Sequence, residues 1–413
     1  AAQTSSLRRA PESRFAIAPL CTSVWSQDKP FYNDCPTVEG KQCPTGCLAT
    51  AIAQIMYYHK YPAQGTGTKS YEWTYNGQTY SDSFDFGNTS FDWDNMIDVY
   101  ASGSYTDAQA QAVATLMHAC GVAADMAYMP GGSAASEYKL APNLINNLGY
   151  DKGMTIYVRD WMDNNAWETL IYNELAASRP VLYGGITAKN EGHAFVCDGY
   201  SSDGFFHMNW GWRGLSDGYF ILSMLNPDVQ GTGGADSGLA FNFMQRAVTH
   251  IRPAASGSAV VPMIETKGIL TDKTEYTTGE KVQFLNGFWN CAVLPLTYDI
   301  AIAFKQENGA MTYTTIKEDK EIGVYFGYNS FALPVSVFPT GEYDFYFVFR
   351  ESGTGSWKRF YCNNSGANAA HAVKTATKLT LSEALYEEAP KASITASITK
   401  VTPKNTSDGT KYY

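Results

Sequence analysis

The chain has 413 residues, of which 45% are hydrophobic, 14% aromatic and only 17% charged. That supplies apolar material for two or three ordinary domains and excludes a disordered or coiled-coil protein. Lys+Arg 30 against Asp+Glu 40 leaves a net charge of −10, and without a basic cluster there is no electrostatic footprint for nucleic acid or an anionic membrane.

In chain order, residues 1–19 are mostly polar and carry Arg8–Arg9, and they read as residual propeptide or linker. No apolar run approaches the roughly 18 residues of a spanning helix. Leu48, Ala51, Ile52, Ile55, Met56 and His59 recur at helical spacing, as do Ala112, Val113, Leu116 and Met117, and then Leu170, Ile171, Glu174 and Leu175. Short apolar runs follow at Val181–Ile186, His193–Gly199, Phe205–Trp210 and Tyr219–Leu222. Ser201-Ser202-Asp203-Gly204 joins the second and third of these as a hairpin. Helices first and antiparallel strands later predict an α+β domain over 20–252.

Pro, Gly, Ser and small residues then mark a linker over 253–262. Beyond it the helical signal fades. Strand-like runs at Val282–Leu285, Thr297–Phe304, Met311–Ile316, Tyr343–Phe349 and Trp357–Tyr361 alternate with turn residues. They predict an all-β, Ig-like sandwich over 263–386. Residues 387–413 read as a tail or the start of a further module.

Three segments carry candidate chemistry. Pro44-Thr45-Gly46-Cys47-Leu48 places a cysteine at a helix start, where the macrodipole and free N–H groups favour the thiolate. The structural alternative is a buried small hydrophobe or half of a disulfide. Gly192-His193-Ala194-Phe195 begins an apolar strand with a histidine, and Asn209-Trp210-Gly211-Trp212 lies on the returning strand. A pairing centred on the Ser202–Asp203 turn sets Trp212 opposite His193, whereas a bulge at Gly211 would bring Asn209 round instead. The order Cys47, His193, Asn209 suits a nucleophile, a base and an orienting amide. His118, His207 and His250 are the rival bases.

The remaining cysteines leave several options open. Cys35 and Cys43 could pair with each other or with Cys21. Cys35, Cys43 and Cys47 lack the CxxC spacing of a zinc site, so no metal is expected. If Cys47 stays free, seven cysteines remain and cannot all pair; Cys197 is the expected second unpaired thiol. Asp82, Asp85, Asp92 and Asp94 do not fit an EF-hand and read as a solvated loop. Gly231, Gly233 and Gly234 lie in a glycine-rich stretch without the lysine of a phosphate loop.

The blocks Gln27–Asn33, Thr45–Met56, Gly192–Val196 and Asn209–Trp212 together resemble the streptopain family of secreted cysteine peptidases, interpain-like members included. The resemblance spans roughly 20–250. It implies a papain-like fold, endopeptidase activity on protein or peptide substrates and no cofactor. It also implies a zymogen whose own prodomain acts as inhibitor. No such prodomain precedes Trp25, so a mature or trimmed form is expected, secreted from or displayed on a bacterium of Bacteroidetes type. By the same resemblance Cys47 is the nucleophile and His193 its partner in a thiolate–imidazolium pair near neutral pH, with an acyl-enzyme intermediate. Gln27 is an oxyanion donor, Asn209 orients His193, and Trp210 and Trp212 screen that contact. The Gly231, Gly233 and Gly234 loop borders the substrate cleft, and the β-rich region is similar to the Ig-like modules of longer members. Two other readings stand beside this one: a papain-fold amidase or acyl transferase acting on cell-wall peptides, and an inactive, adhesin-like binding protein.

Overall fold

The computed structural model describes residues 14–235, 239–362 and 368–384, together with 404–405 and 411–412. The described residues divide into two compact units. One comprises those up to Asp151, Asn165–Ala254 and those from Ser397 onward, and the other comprises Lys152–Asn164 and those of Ala255–Ala396. Residues 1–13 of the polar start lie outside the described residues, as does most of 387–413.

The first unit is mixed α/β. Helix α1 is Cys47–His59, whose Ala, Leu, Ile, Gln and Met content favours helix. Gly46 at φ 87° makes its N-cap and offers no side-chain oxygen, so the first N–H groups stay available. Lys60 in the left-handed region ends it. Ile52, Ile55 and Met56 are fully buried, worth about 2 kcal/mol each. Helix α2, Asp107–Ala123, starts from a Thr106/Gln109 capping box and sets Cys120 Sγ 3.6 Å from Met56 Sδ of α1. Helices α3 (Glu137–Asn146) and α4 (Asn164–Ala176) follow.

A hairpin, β1 (Thr68–Tyr75) and β2 (Gln78–Asp85), turns through Asn76 and Gly77, both at positive φ. The main sheet has eight strands, among them β3 (Val181–Ile186), β4 (Gly192–Tyr200), β5 (Phe206–Asn209), β6 (Gly218–Phe220) and β7 (Phe243–Thr249). They lie in the order β6-β5-β4-β3-β7, every pair antiparallel. Strand β4 runs through the middle and is buried from His193 to Tyr200.

The segment Lys152–Asn164 falls inside the continuous 20–252 domain expected from sequence, yet it belongs with the second unit. Trp161 explains this. Its ring stacks on Tyr361 at 4.8 Å, and its Nε1 donates to Glu265 Oε1 at 3.2 Å. The second unit is otherwise all β. One sheet runs Gly327–Tyr328, Phe288–Asn290, Ile264–Thr266, Tyr361–Cys362. A larger one runs Glu275–Thr277, Lys378–Ala384, Ala369–Lys374, Gly341–Glu351, Leu296–Gln306, Met311–Ile322. Phe288, Phe304, Phe345, Phe347 and Phe349 share one core with Ile300, Ile302 and Leu379.

Candidate active site

Cys47 is the first residue of α1, a helix that packs against β4. Cys47 Sγ lies against the backbone N–H groups of Ala194, Leu48 and Cys47 itself, which favour the thiolate. Burial outweighs them and holds the thiol above its ordinary pKa, with the Glu137 carboxylate adding to the rise. Gly46 is required just before it. A Cβ there would fall 2.6 Å from Met126 Sδ, in a backbone conformation that side chains resist.

His193 opens the buried part of β4, paired with Gly185 of β3. Its ring stacks on Trp212 at 4.5 Å and 18°, and more distantly on Trp210 at 6.2 Å and 16°. Nε2 lies 2.9 Å from the Trp210 carbonyl oxygen, and opposite a carbonyl it must donate. Nδ1 is buried without a hydrogen-bond partner. Burial pulls the imidazole down to about 4, and the Trp210 and Gly233 carbonyls only partly offset it.

Contrary to the expectation from sequence, the Asn209 side chain does not bond His193. Asn209 Nδ2 donates to the Ser23 carbonyl at 2.7 Å and to Gln54 Oε1 at 3.1 Å. Its Oδ1 accepts from Gln54 Nε2 and from Gly211 N–H, each at 3.1 Å. Register is the reason. Asn209 pairs with Val196, the only shift in the β4–β5 ladder lies between Cys197 and Gly199, and the chain leaves the ladder after Asn209. The histidine therefore receives a main-chain carbonyl instead of an amide side chain. Extending the same register sets Trp212 opposite His193, one of the two pairings open in the sequence.

Gln27 is almost fully buried, and its backbone carbonyl accepts from Thr45 N–H two residues before Cys47. Its Nε2 donates to the Thr232 carbonyl at 2.6 Å, while Oε1 has no partner. The same Thr232 oxygen accepts from Trp212 Nε1 at 3.1 Å. The glycines around it are close-packed: a Cβ on Gly231 or Gly234 would strike the Trp212 ring, and one on Gly233 would lie 2.6 Å from Gln27 Nε2. The loop thus lies over the site, with a carbonyl held on the glutamine donor.

Other histidines are engaged elsewhere. His207 Nδ1 pairs with Asp198 at 2.7 Å, and His118 pairs with Asp82 at 2.9 Å. Cys21, Cys35, Cys43, Cys47, Cys120 and Cys197 are free thiols, so no disulfide joins Cys21, Cys35 and Cys43. Of the acidic patch, Asp82 and Asp85 stand on β2, and Asp92 accepts from Asn95. Two site residues carried no expectation from sequence. Gln54 stands two helical turns after Cys47, on the same face of α1. Asp217 accepts from Trp210 N–H at 2.9 Å through Oδ1. The i+7 spacing from Cys47 could have flagged Gln54; nothing local flags Asp217.

Residues 25–220 match the Peptidase C10 family. A solved structure of active wild-type interpain A cysteine protease from Prevotella intermedia is 36% identical with a TM-score of 0.52, and covers 57% of this chain and 95% of its own. The chain belongs to the Peptidase C10 family. Among C10 relatives, streptopain of Streptococcus pyogenes is 38% identical over 218 residues, 52% of this chain and 54% of that protein. The thiol protease/hemagglutinin PrtT of Porphyromonas gingivalis is 32% identical over 341 residues, 81% of this chain and 38% of that protein. The chain therefore spans about half or less of the curated relatives it matches. The C10 match contains Gln27, Cys47, His193, Asn209, Trp210 and Trp212 and stops before Gly231. No helix among the described residues is long and apolar enough to cross a membrane.

Proposed function

We propose that the chain is a secreted cysteine endopeptidase with a papain-like catalytic unit, acting on protein or peptide substrates. The observation that carries this reading is the convergence of Cys47, at an uncapped helix N-terminus, with the His193–Ala194 start of β4. Cys47 gives its proton to His193 Nδ1, the ring nitrogen that does not face the Trp210 carbonyl, and the thiolate attacks the scissile carbonyl carbon. The resulting oxyanion takes Gln27 Nε2–H and the Cys47 N–H, once substrate has displaced the Thr232 carbonyl from Gln27. The imidazolium returns its proton to the amine nitrogen as the C–N bond breaks, leaving a thioester on Cys47. His193 then takes a proton from water, hydroxide adds to the thioester, and the acid leaves with Cys47 restored.

Trp210 and Trp212 cover His193 and exclude water from its Nε2 contact. Gly231, Gly233 and Gly234 form a loop that opens for substrate. In this reading the protein is made as a zymogen whose prodomain blocks the cleft, and the second unit is an Ig-like accessory module. A thiol-directed epoxide should label Cys47 stoichiometrically, and Cys47→Ala should abolish casein cleavage. Retained cleavage in that variant would overturn the proposal.

A further inference from the structure

The geometry points to Gln54 and Asn209 as a buried amide clamp that positions His193 through the peptide group linking Trp210 to Gly211. This inference rests on the catalytic reading above and extends it to residues that touch no reacting atom. The Trp210 carbonyl that accepts from His193 Nε2 and the Gly211 N–H that donates to Asn209 Oδ1 are two ends of one peptide unit. That unit is planar and stiff, so fixing its N–H fixes where its carbonyl points. Its dipole also makes the two bonds cooperative: an acceptor on the N–H makes the carbonyl a better acceptor for His193.

Asn209 is itself held in one orientation. Its side chain and that of Gln54 form a reciprocal pair, each amide donating to the other at 3.1 Å. Two backbone groups with unambiguous roles set the direction of both amides. The Ser23 carbonyl can only accept, and takes Asn209 Nδ2–H at 2.7 Å; the Trp25 N–H can only donate, and gives to Gln54 Oε1 at 3.3 Å. Ser23 Oγ adds a third donor to that oxygen at 3.1 Å. Gln54 and Asn209 are both almost fully buried, so no water can replace a missing partner cheaply. Gln54 also ties together the three pieces of the site. It stands on the helix that carries Cys47, pairs with Asn209 behind His193, and grips Trp25 two residues before Gln27.

The clamp acts on geometry, so its loss should slow acylation more than it weakens substrate binding. In Gln54→Leu, with active-site titration correcting for competent protein, kcat should fall about 10- to 100-fold with KM within about twofold. Gln54→Glu, assayed at a pH where the introduced carboxyl is ionised, keeps the acceptor for Trp25 N–H and replaces the donor to Asn209 by a second acceptor oxygen. It serves where the leucine variant fails to fold, and should give a smaller kcat loss in the same pattern. Nitrogen-15 spectra of histidine-labelled wild-type protein supply an independent readout, since neutral His193 should carry its proton on Nε2, with Nδ1 unprotonated. Unchanged kcat in a folded Gln54→Glu, equal losses in kcat and 1/KM, or the Nδ1–H tautomer in the wild type would each overturn the clamp. Failure of the catalytic reading looks different: wild-type protein would not cleave casein at all.

Discussion

Replacing Gly233 by alanine tests whether the glycine loop and a transition state compete for Gln27. Gly233 sits at φ +74°, where an L-residue costs about 1–2 kcal/mol. The added Cβ would lie 2.6 Å from Gln27 Nε2 and 2.9 Å from its Oε1. Gln27 is only 1% exposed and has no room to swing aside. The loop must therefore lift, and the Gln27–Thr232 bond breaks with it. A peptide aldehyde is the appropriate probe, because its hemithioacetal on Cys47 places an oxyanion on the Gln27 donor. Its apparent affinity is the intrinsic affinity scaled by the fraction of open loop. The backbone cost alone shifts that balance by about 5- to 30-fold, so Ki should fall by up to that factor, levelling off once the open form dominates. Melting temperature, measured in parallel, separates this from unfolding. A Ki that stays the same or rises in a folded Gly233→Ala protein would refute the reasoning.

Gln27→Ala should lower kcat by about 100- to 1,000-fold with Cys47 still alkylated by iodoacetamide, as the loss of one oxyanion donor costs about 3–4 kcal/mol; kcat and alkylation measured on one preparation check it. Asp217 is raised to about 7, chiefly by burial, with Asp198 adding to the rise and the Trp210 N–H and His207 opposing it. Because the folded state holds that proton more tightly than the unfolded one, the contribution of Asp217 to stability should decline as pH rises from about 4 to 7. Asp217→Asn keeps an Oδ1 for Trp210 N–H, and should remove a part of that decline on the order of a few kcal/mol, read from urea melts across this range.

Periodicity was sufficient to read the helices and strands that carry Cys47 and His193, since α1 and β4 are buried along most of their lengths. The hairpin β1–β2 has an equally direct signal, Asn76-Gly77 between Trp73–Tyr75 and Gln78–Tyr80. The partner of His193 was harder for a physical reason. A main-chain carbonyl has no residue identity, so Asn209 drew the assignment while the carbonyl of its neighbour makes the bond. Register compounds this, because a shift at Asp198 cannot be located from hydropathy alone. Pairing among Cys21, Cys35 and Cys43 was similarly unreadable, as spacing says nothing about which thiols meet. Residues Lys152–Asn164 joined the second unit through long-range contacts of Trp161, which local composition does not encode.

The protonation of the closed site follows from how dry it is. Burial is the largest influence on both reacting groups, lowering His193 to about 4 and raising Cys47, so with the loop down it opposes charge on either one. The charged groups around them are few: Glu137 acts on Cys47, and Asp217 stands on the far side of the Trp210 backbone. Trp212 supplies much of the dryness, since its ring covers His193 at 4.5 Å and anchors Thr232 over it. Trp212→Ala should open that face to water and move His193 back up toward the ordinary histidine value of about 6.5. In Cys47→Ala protein, where no thiol exchanges the proton, the carbon-bound ring proton of His193 reports the change by NMR titration. The stability consequence has a definite sign. A histidine held neutral in the folded state loses stability as pH falls from its unfolded value through its folded one. Trp212→Ala should therefore flatten the acid side of the stability curve between about pH 6.5 and 4, on top of the uniform cost of removing a buried ring. Titration of His193 at or above 6.5 with Trp212 in place would show that the carbonyls of Trp210 and Gly233, not burial, govern the imidazole, and would refute the reasoning.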